Sequence, residues 1–417
     1  MKTQKVALSS VAKIIMGTSP KGDTYNNTGN GLPLINGPTE FGDDHPDCTL
    51  FTTKSSKECN AGDLIFCVRG STTGRMNWAD KKYSLGRGVC SIRGNTQADT
   101  IYIRYCIEQS LNKLLQFASG ATFPNLTKDT IVSFKIPYPN DRERIVDIVQ
   151  KYDTLANTNR RRIQLLEEAA RLLFREWFVY FRFPLRRSLS RAWSRGSGQA
   201  GHEKACPVES INSTGVKMVD GVPEGWEKGP IKKYYDTTSG GTPSREHPEY
   251  YQGDINWVKT QELDEKYIFD TEERVTQEAI SKSSAKIFPA NTLLVSIYGN
   301  ANIGRTGILA KPAASNQACV AFFPKKPYFH FIYLQQYLQM IRDYLVGMSQ
   351  GAAQTNISQD TLRKVDILMP DELFMNKFLK IAEPMYEQIK NLQYQNQKLA
   401  QARDLLLPRL MSGAIEV

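Results

Sequence analysis

Histidine is nearly missing from this chain. Four occur in 417 residues, His45, His202, His247 and His330, and none is spaced as a ligand pair, which argues against a metal centre built on imidazole. Also missing are a G-x-x-x-x-G-K-[ST] loop for a triphosphate, an H-E-x-x-H helix and a G-x-G-x-x-G turn. No Asn-Pro-Pro-Tyr run, the usual mark of amino-group methylation of bases, occurs either. Cysteine is sparse: Cys48, Cys59, Cys67, Cys90, Cys106, Cys206 and Cys319 form no C-x-x-C pair, are odd in number and fall mostly in apolar strand-like runs, as reduced core residues do. No uninterrupted apolar run reaches the roughly eighteen residues of a membrane span. The opening MKTQKVALSSVAKIIMG holds no stretch suited to a signal peptide, so a cytoplasmic protein without membrane contact is expected.

What is present is ordinary core material and an excess of positive charge. Apolar residues make up 41% and aromatics 10%, enough for two or three domains. Lys plus Arg outnumber Asp plus Glu by 53 to 43, giving +10 and a pI near 9.1, which favours a polyanionic partner such as nucleic acid.

The strongest pattern lies in residues 141–183. Ile145, Val149, Tyr152, Ala156, Ile163, Leu166, Ala170, Leu173 and Trp177 recur at spacings that place them on one face of a long helix. Near the C-terminus Phe378, Met385, Leu392, Leu399 and Leu406 recur every seven residues, flanked by Ile381, Ala382 and Ile389. A constant shift of 233 carries Tyr152, Asn159, Leu166 and Leu173 onto Met385, Leu392, Leu399 and Leu406, so the two helices read as copies. Such heptads support a coiled-coil seam, and roughly forty residues at about 1.5 Å each make a rod of about 60 Å; if the two helices pair antiparallel, the globules sit at opposite ends. Asn159 sits in the first seam and Asn396 one position off the second, where a polar residue fixes register. The alternative is two amphipathic helices packed separately on their own domains.

The duplication extends beyond the helices. Gly17-Thr18 returns as Gly241-Thr242 at a shift of 224, Gly70 as Gly299 and Cys90 as Cys319 at 229, and Gly120-Ala121 as Gly351-Ala352 at 231. A shift that rises in one direction is the mark of a duplicated unit that gained small insertions. The expected fold is α+β: two similar globular domains separated by a two-helix antiparallel coiled coil, with a pseudo-two-fold internal repeat and one globule at either end. The expected boundaries are 1–139 and 223–370 for the globules, 140–183 and 371–412 for the long helices, 184–222 for a basic linker, and 413–417 for a tail. Within the first globule, strands are expected around 31–37, 63–69, 88–92 and 131–137, with a helix over 101–117.

Candidate contact residues sit in two polar loops, each following a strand-like run. The first carries Arg69, Ser71, Thr72, Arg75 and Asn77; the second carries Tyr298, Asn300, Asn302 and Arg305. Small residues let a backbone approach a groove, Arg takes guanine edges or phosphate, and Asn takes adenine. The competing reading is a glycine-rich hairpin with incidental arginine. Lys21 and Asn36 in the first half, and Ser244, Arg245, Lys259, Thr260 and Gln261 in the second, form a further candidate surface, with Tyr251 and Trp257 taken as core. Asn125 and Asn356 read as turn residues. Arg186, Arg187, Arg191 and Arg195 of the linker either touch phosphate or are simply solvated. One enzymatic pattern survives, a loose Pro46-Asp47 with Asp80-Lys81-Lys82, in which Asp47 and Asp80 would hold Mg²⁺ and Lys82 would support water in a free-standing nuclease. A coiled-coil scaffold without DNA is the third reading.

Several segments carry a family resemblance. Leu172-Leu173-Phe174-Arg175-Glu176-Trp177-Phe178-Val179 and Leu406-Leu407-Pro408-Arg409-Leu410-Met411-Ser412-Gly413 resemble the central and C-terminal conserved regions of the specificity subunit of type I restriction–modification enzymes. So do Ser239-Gly240-Gly241-Thr242-Pro243-Ser244 and Ile297-Tyr298-Gly299 with Ile303-Gly304-Arg305. The resemblance implies a non-catalytic subunit whose two target-recognition domains each read one half of a bipartite, asymmetric site in double-stranded DNA. It further implies helices that set the spacing and dock two modification (adenine N6-methyltransferase) subunits, through which restriction subunits join. S-adenosylmethionine, ATP and Mg²⁺ would then be used by those partners and not by this chain.

Overall fold

The structure, a computed structural model, describes residues 4–42, 44–119, 124–182, 218–219, 222–299, 301–349 and 356–416. Asn300, Cys206, the Gly120-Ala121 and Gly351-Ala352 pairs and the four linker arginines lie outside the described residues. The chain divides into two compact units, residues 1–157 with 397–417, and residues 158–396. Both long helices are thus shared: each unit holds a stretch of either one.

Helices α1 (Gln97–Leu115), α2 (Lys128–Ser133), α3 (Arg142–Phe174), α4 (Phe331–Met340), α5 (Arg342–Ser349), α6 (Gln359–Lys364) and α7 (Glu372–Met411) pack around two sets of strands. In the first unit these are β1 (Ala12–Met16), β2 (Leu32–Ile35), β3 (Leu64–Cys67), β4 (Met76–Trp78), β5 (Tyr83–Leu85) and β6 (Val89–Gly94). In the second they are β7 (Tyr235–Ser239), β8 (Ile255–Val258), β9 (Leu293–Ser296), β10 (Thr306–Leu309), β11 (Ala313–Ser315) and β12 (Cys319–Pro324).

The two units repeat one topology. Unit 1 has an antiparallel sheet in the order β1-β6-β3-β4, and unit 2 has β7-β12-β9-β10 with Tyr267–Ile268 added parallel to β10. Each also has a second sheet centred on a parallel pair, β2 with β5 (Leu34↔Ser84) and β8 with β11 (Trp257↔Ala314). β3 and β9 are buried along their whole length, which is why they read as unbroken apolar runs rather than alternating ones.

Helix α1 starts where a capping box demands it: the Asp99 amide donates to Thr96 Oγ1 at 3.0 Å, and the Thr96 amide donates to Asp99 Oδ2 at 3.1 Å. The strand expected over 131–137 is corrected by the structure. Thr127 caps α2 by accepting the Thr130 amide, so Ile131 is a buried helical residue, and only Lys135–Pro137 is extended, paired with Lys5–Ala7.

The long helices form the expected antiparallel seam. Val149, Ala156, Ile163 and Ala170 of α3 are 0%, 9%, 6% and 0% exposed, alternating with buried Ile145 and Asn159 and half-buried Tyr152, Leu166 and Leu173. In unit 1, Ile145 and Val149 share a core with Leu407, Leu410 and Met411 of α7, with Leu406 packed against it. In unit 2, Ile163 and Ala170 share one with Phe378, Ala382, Tyr386, Ile389 and Leu392, and Met385 lies against it. The start of one helix therefore meets the end of the other. Each fully buried Leu or Ile stabilises by roughly 1.5–3 kcal/mol. Asn159, 1% exposed, donates through Nδ2 to Gln395 Oε1 at 3.4 Å in that seam.

Two seam expectations need adjustment. On α7 the most buried track includes Met375, Ala382 and Ile389; Met385, Leu399 and Leu406 sit on its flank, and Ile381 is exposed. Trp177 belongs to a π turn, Arg175–Val179, that follows α3 and directs two successive residues, Trp177 and Phe178, into an aromatic cluster with Phe378.

Candidate nucleic-acid interface

The two polar loops are the hairpins joining β3 to β4 and β9 to β10. In unit 1, the Gly74 amide donates to the Cys67 carbonyl at 2.9 Å and the Cys67 amide to the Arg75 carbonyl at 2.8 Å. In unit 2, the Gly304 amide donates to Ser296 and the Ser296 amide to Arg305, both at 2.9 Å. Arg75 and Arg305 are structural equivalents. Gly74 is required by its φ of +99°, which L side chains rarely adopt.

In unit 1 the hairpin faces the turn Pro38–Glu40. Pro38, Thr39 and Phe41 form one wall of a cleft, and Gly70, Ser71, Thr72 and Arg75 form the other. The Arg75 guanidinium lies 6.0 Å from the Phe41 ring centre. Asn36 enters this wall: its amide and that of Gly37 donate to Glu40 Oε2 at 3.2 and 3.0 Å. Arg69 and Ser71 are exposed and Thr72 is half-buried. Lys21 stands on a different turn, where its carbonyl accepts Thr24 Oγ1–H at 2.7 Å. Asn77 is not an outward-facing reader. It is 4% exposed, and its Nδ2 donates to the Gly42 carbonyl at 2.9 Å, because β4 turns that side chain toward the second sheet.

In unit 2 the cations gather on carboxylates. Lys259 Nζ lies 2.6 Å from Glu272 and 3.1 Å from Glu273, and Arg245 Nη1 lies 2.8 Å from Glu273. The Arg245 guanidinium stacks 3.9 Å from the Tyr251 ring centre and 5.4 Å from that of Trp257. Hydrogen bonds, first from Arg245 and then from Lys259, hold the Glu273 carboxyl below the usual carboxylate range. Arg245 and Lys259 are thus built into the domain instead of standing free for phosphate. Trp257 is core, 2% exposed, with its indole N–H donating to Gly241 O at 3.0 Å. Thr260 and exposed Gln261 continue from Lys259 as the turn Thr260–Glu262. Ser244 Oγ accepts the Glu246 amide at 3.3 Å. Tyr298 is 42% exposed, whereas Asn302 and Arg305 are half-buried in the hairpin.

Sequence reasoning missed what braces these hairpins. In unit 1 the Leu126 amide donates to Val68 O at 2.9 Å and the Gly70 amide to Pro124 O at 3.2 Å, laying Asn125 beside Arg69. In unit 2 the Ile357 amide donates to Ile297 O at 3.0 Å, laying Asn356 beside Tyr298. Asn125 and Asn356 are therefore hairpin supports, not terminal turns alone. In unit 2 Arg342 of α5 adds a clamp, donating from Nε to Ile303 O at 3.1 Å and from Nη2 to Ala301 O at 2.8 Å. The similar spacing of the two asparagines from their hairpins, 56 residues from Arg69 to Asn125 and 58 from Tyr298 to Asn356, was the available signal.

The nuclease pattern is not assembled. Tyr83 O–H bridges Asp80 and the Pro46 carbonyl, but Lys82 is paired with Glu58. Among the described residues no group of three or more His, Cys, Asp or Glu is placed to hold a metal ion. Burial pushes the Cys48 and Cys59 thiols up to about 12, so neither is a nucleophile. No helix among the described residues is long and apolar enough to cross a membrane.

Residues 2–168 and 223–400 match the family model described as the type I restriction modification DNA specificity domain. Over 342 residues the chain is 28% identical to the type I restriction enzyme HindI specificity subunit of Haemophilus influenzae, covering 73% of this chain and 74% of that one. Over 380 residues it is 21% identical to the MjaIX specificity subunit of Methanocaldococcus jannaschii, covering 88% and 82%. The fold is shared with the crystal structure of the type I restriction–modification S subunit from M. genitalium, at a TM-score of 0.57 and 14% identity over 98% of this chain and 95% of that one. Two matched segments, one per repeat and together most of the chain, make this protein a member of the type I restriction–modification DNA-specificity family.

Proposed function

We propose that the chain is the DNA-recognition subunit of a type I restriction–modification complex, each unit reading one half of a split target. The observation that carries this is the duplication. One topology occurs twice, and each copy presents a glycine-framed hairpin with an arginine at the same place, Arg75 and Arg305. Two similar heads on one chain suit a site in two parts, as in dimeric DNA readers.

The long helices are the spacing element in this reading: 33 residues in α3 and 40 in α7 correspond to about 50 and 60 Å at ~1.5 Å per residue. Their outer faces, with exposed Leu155, Leu165, Leu172, Leu373 and Leu405, are where two modification subunits dock. Methylation and cleavage, with S-adenosylmethionine, ATP and Mg²⁺, belong to those modification and restriction subunits, and the complex works in the cytoplasm. Lys and Arg contacts to phosphate give most of the affinity, and hairpin side chains give the sequence preference.

The test is to express the chain with its modification subunit and map methylated adenines in the host genome. A two-part motif with a fixed gap is the expected result. A continuous motif, or methylation independent of sequence, refutes the proposal.

A further inference from the structure

Most arginines that brace this protein are neutralised by a carboxylate. Arg93 pairs with Asp63, Arg142 with Asp99, Arg104 with Glu108, Arg245 with Glu273 and Arg403 with Asp153. Arg69 is held differently. Its Nε donates to Asn125 Oδ1 at 3.0 Å, so an uncharged amide orients the guanidinium and leaves its charge intact. Its backbone is fixed on both sides by the Leu126–Val68 and Gly70–Pro124 hydrogen bonds. The side chain is exposed, and Nη1 and Nη2 have no partner among the described residues.

We propose that Asn125 is a positioning residue that aims Arg69 at a guanine in the half-site read by the first unit. This rests on the DNA-recognition reading above. With Nε turned inward, the remaining edge of the fork is a parallel pair of donors, the shape that matches O6 and N7 on the major-groove edge of guanine. Holding the fork before DNA arrives removes part of the ordering cost that a free arginine meets on binding. The second unit cannot do the same: Tyr298 occupies the matching place, and Asn356 Oδ1 instead accepts the Gly299 amide at 3.5 Å. The same frame thus carries a guanine reader in one unit and an aromatic in the other, which makes the two half-sites unlike.

The test uses the full chain expressed with its modification subunit, reading the methylated motif and the methylation rate across genomic sites. In the wild type, one half of the motif contains a guanine. Arg69→Ala and Asn125→Ala are expected to cut the preference for it by about tenfold or more at that position alone, leaving the other half and the gap unchanged. Asn125→Gln keeps an uncharged amide acceptor and is expected to keep part of the preference. Arg69→Lys, an exposed change that leaves the fold intact, keeps charge but not the fork, and is expected to lose the preference while methylation continues. An unchanged motif in Arg69→Lys overturns the proposal. So does an even loss of rate at every site in Arg69→Ala, which would mark a phosphate contact. Failure of Asn125→Gln to retain any of what Asn125→Ala loses overturns the positioning role. A wild type without any split motif fails one level up, at the proposed function itself.

Discussion

Arg75 and Arg305 each close a hairpin through the backbone, Arg75 accepting the Cys67 amide at 2.8 Å and Arg305 the Ser296 amide at 2.9 Å, so one position serves both repeats. Because the backbone and not the side chain makes this closure, replacing either arginine leaves the hairpin in place.

Arg75→Ala should therefore relax one half of the target and Arg305→Ala the other, each by about 1–3 kcal/mol on a duplex carrying that half-site. Competition binding of the assembled complex to duplexes altered in a single half-site measures this. Equal weakening toward all duplexes would reclassify the residue as a phosphate contact.

The cluster of Arg245, Lys259, Glu272 and Glu273 contains two cations and two carboxylates. Lys259→Ala is expected to alter DNA affinity little. Glu272→Gln combined with Glu273→Gln frees both cations and should steepen the dependence of log affinity on log salt by about 1–2. A salt titration of the double variant decides it, and an unchanged slope would place the cluster away from the DNA.

Asp153 and Arg403 join α3 to α7 in unit 1 through a half-buried ion pair at 2.9 Å, to which Tyr105 O–H adds a hydrogen bond on Asp153 at 2.7 Å. Burial pulls the Arg403 guanidinium down in pKa, but the bonds to Asp153 and Asp404 more than reverse it. Asp153→Arg should destabilise by about 1–3 kcal/mol, since it buries like charges together, and Asp153→Arg with Arg403→Asp should recover part of that. Urea melts of the two variants provide the comparison.

His330 caps α4, its Nδ1 accepting the Ile332 amide at 3.3 Å, and burial lowers its pKa from 6.5 to about 4. Glu383 Oε1, 3.3 Å from Nε2, favours the protonated ring, but it is itself half exposed and burial wins. The folded pKa lies below the unfolded one, so the contribution is complete above pH 6.5 and drains away as pH falls toward 4. The loss should reach about 2–3 kcal/mol near pH 4, at roughly 1.4 kcal/mol per unit. His330→Gln should flatten the melting profile between those limits; an unaltered profile would contradict the burial argument.

Periodicity and repetition determined much of this protein. The 3-4 spacing along α3 placed Val149, Ala156, Ile163 and Ala170 on one apolar face, because residues at that spacing share a side of a helix, and that face is the one buried in the seam. The shared shift of 229 that carries Gly70 onto Gly299 and Cys90 onto Cys319 foretold two copies of one fold, since glycine at positive φ and a buried thiol are hard to replace. Composition and the cluster-free distribution of histidine pointed toward recognition and away from catalysis.

Tertiary structure decided what pattern cannot carry. Whether a charged residue faces DNA or a carboxylate depends on neighbours far along the chain: Lys259 meets Glu272 and Arg69 meets Asn125, 56 residues away. The repeat even reuses a position with changed chemistry. Tyr105 O–H donates to Asp153 in unit 1, while Gln336 Nε2 donates to the Tyr386 hydroxyl at 2.7 Å in unit 2. Shape and hydrogen-bond reach are kept there, but residue identity is not, and only folding brings the two partners together.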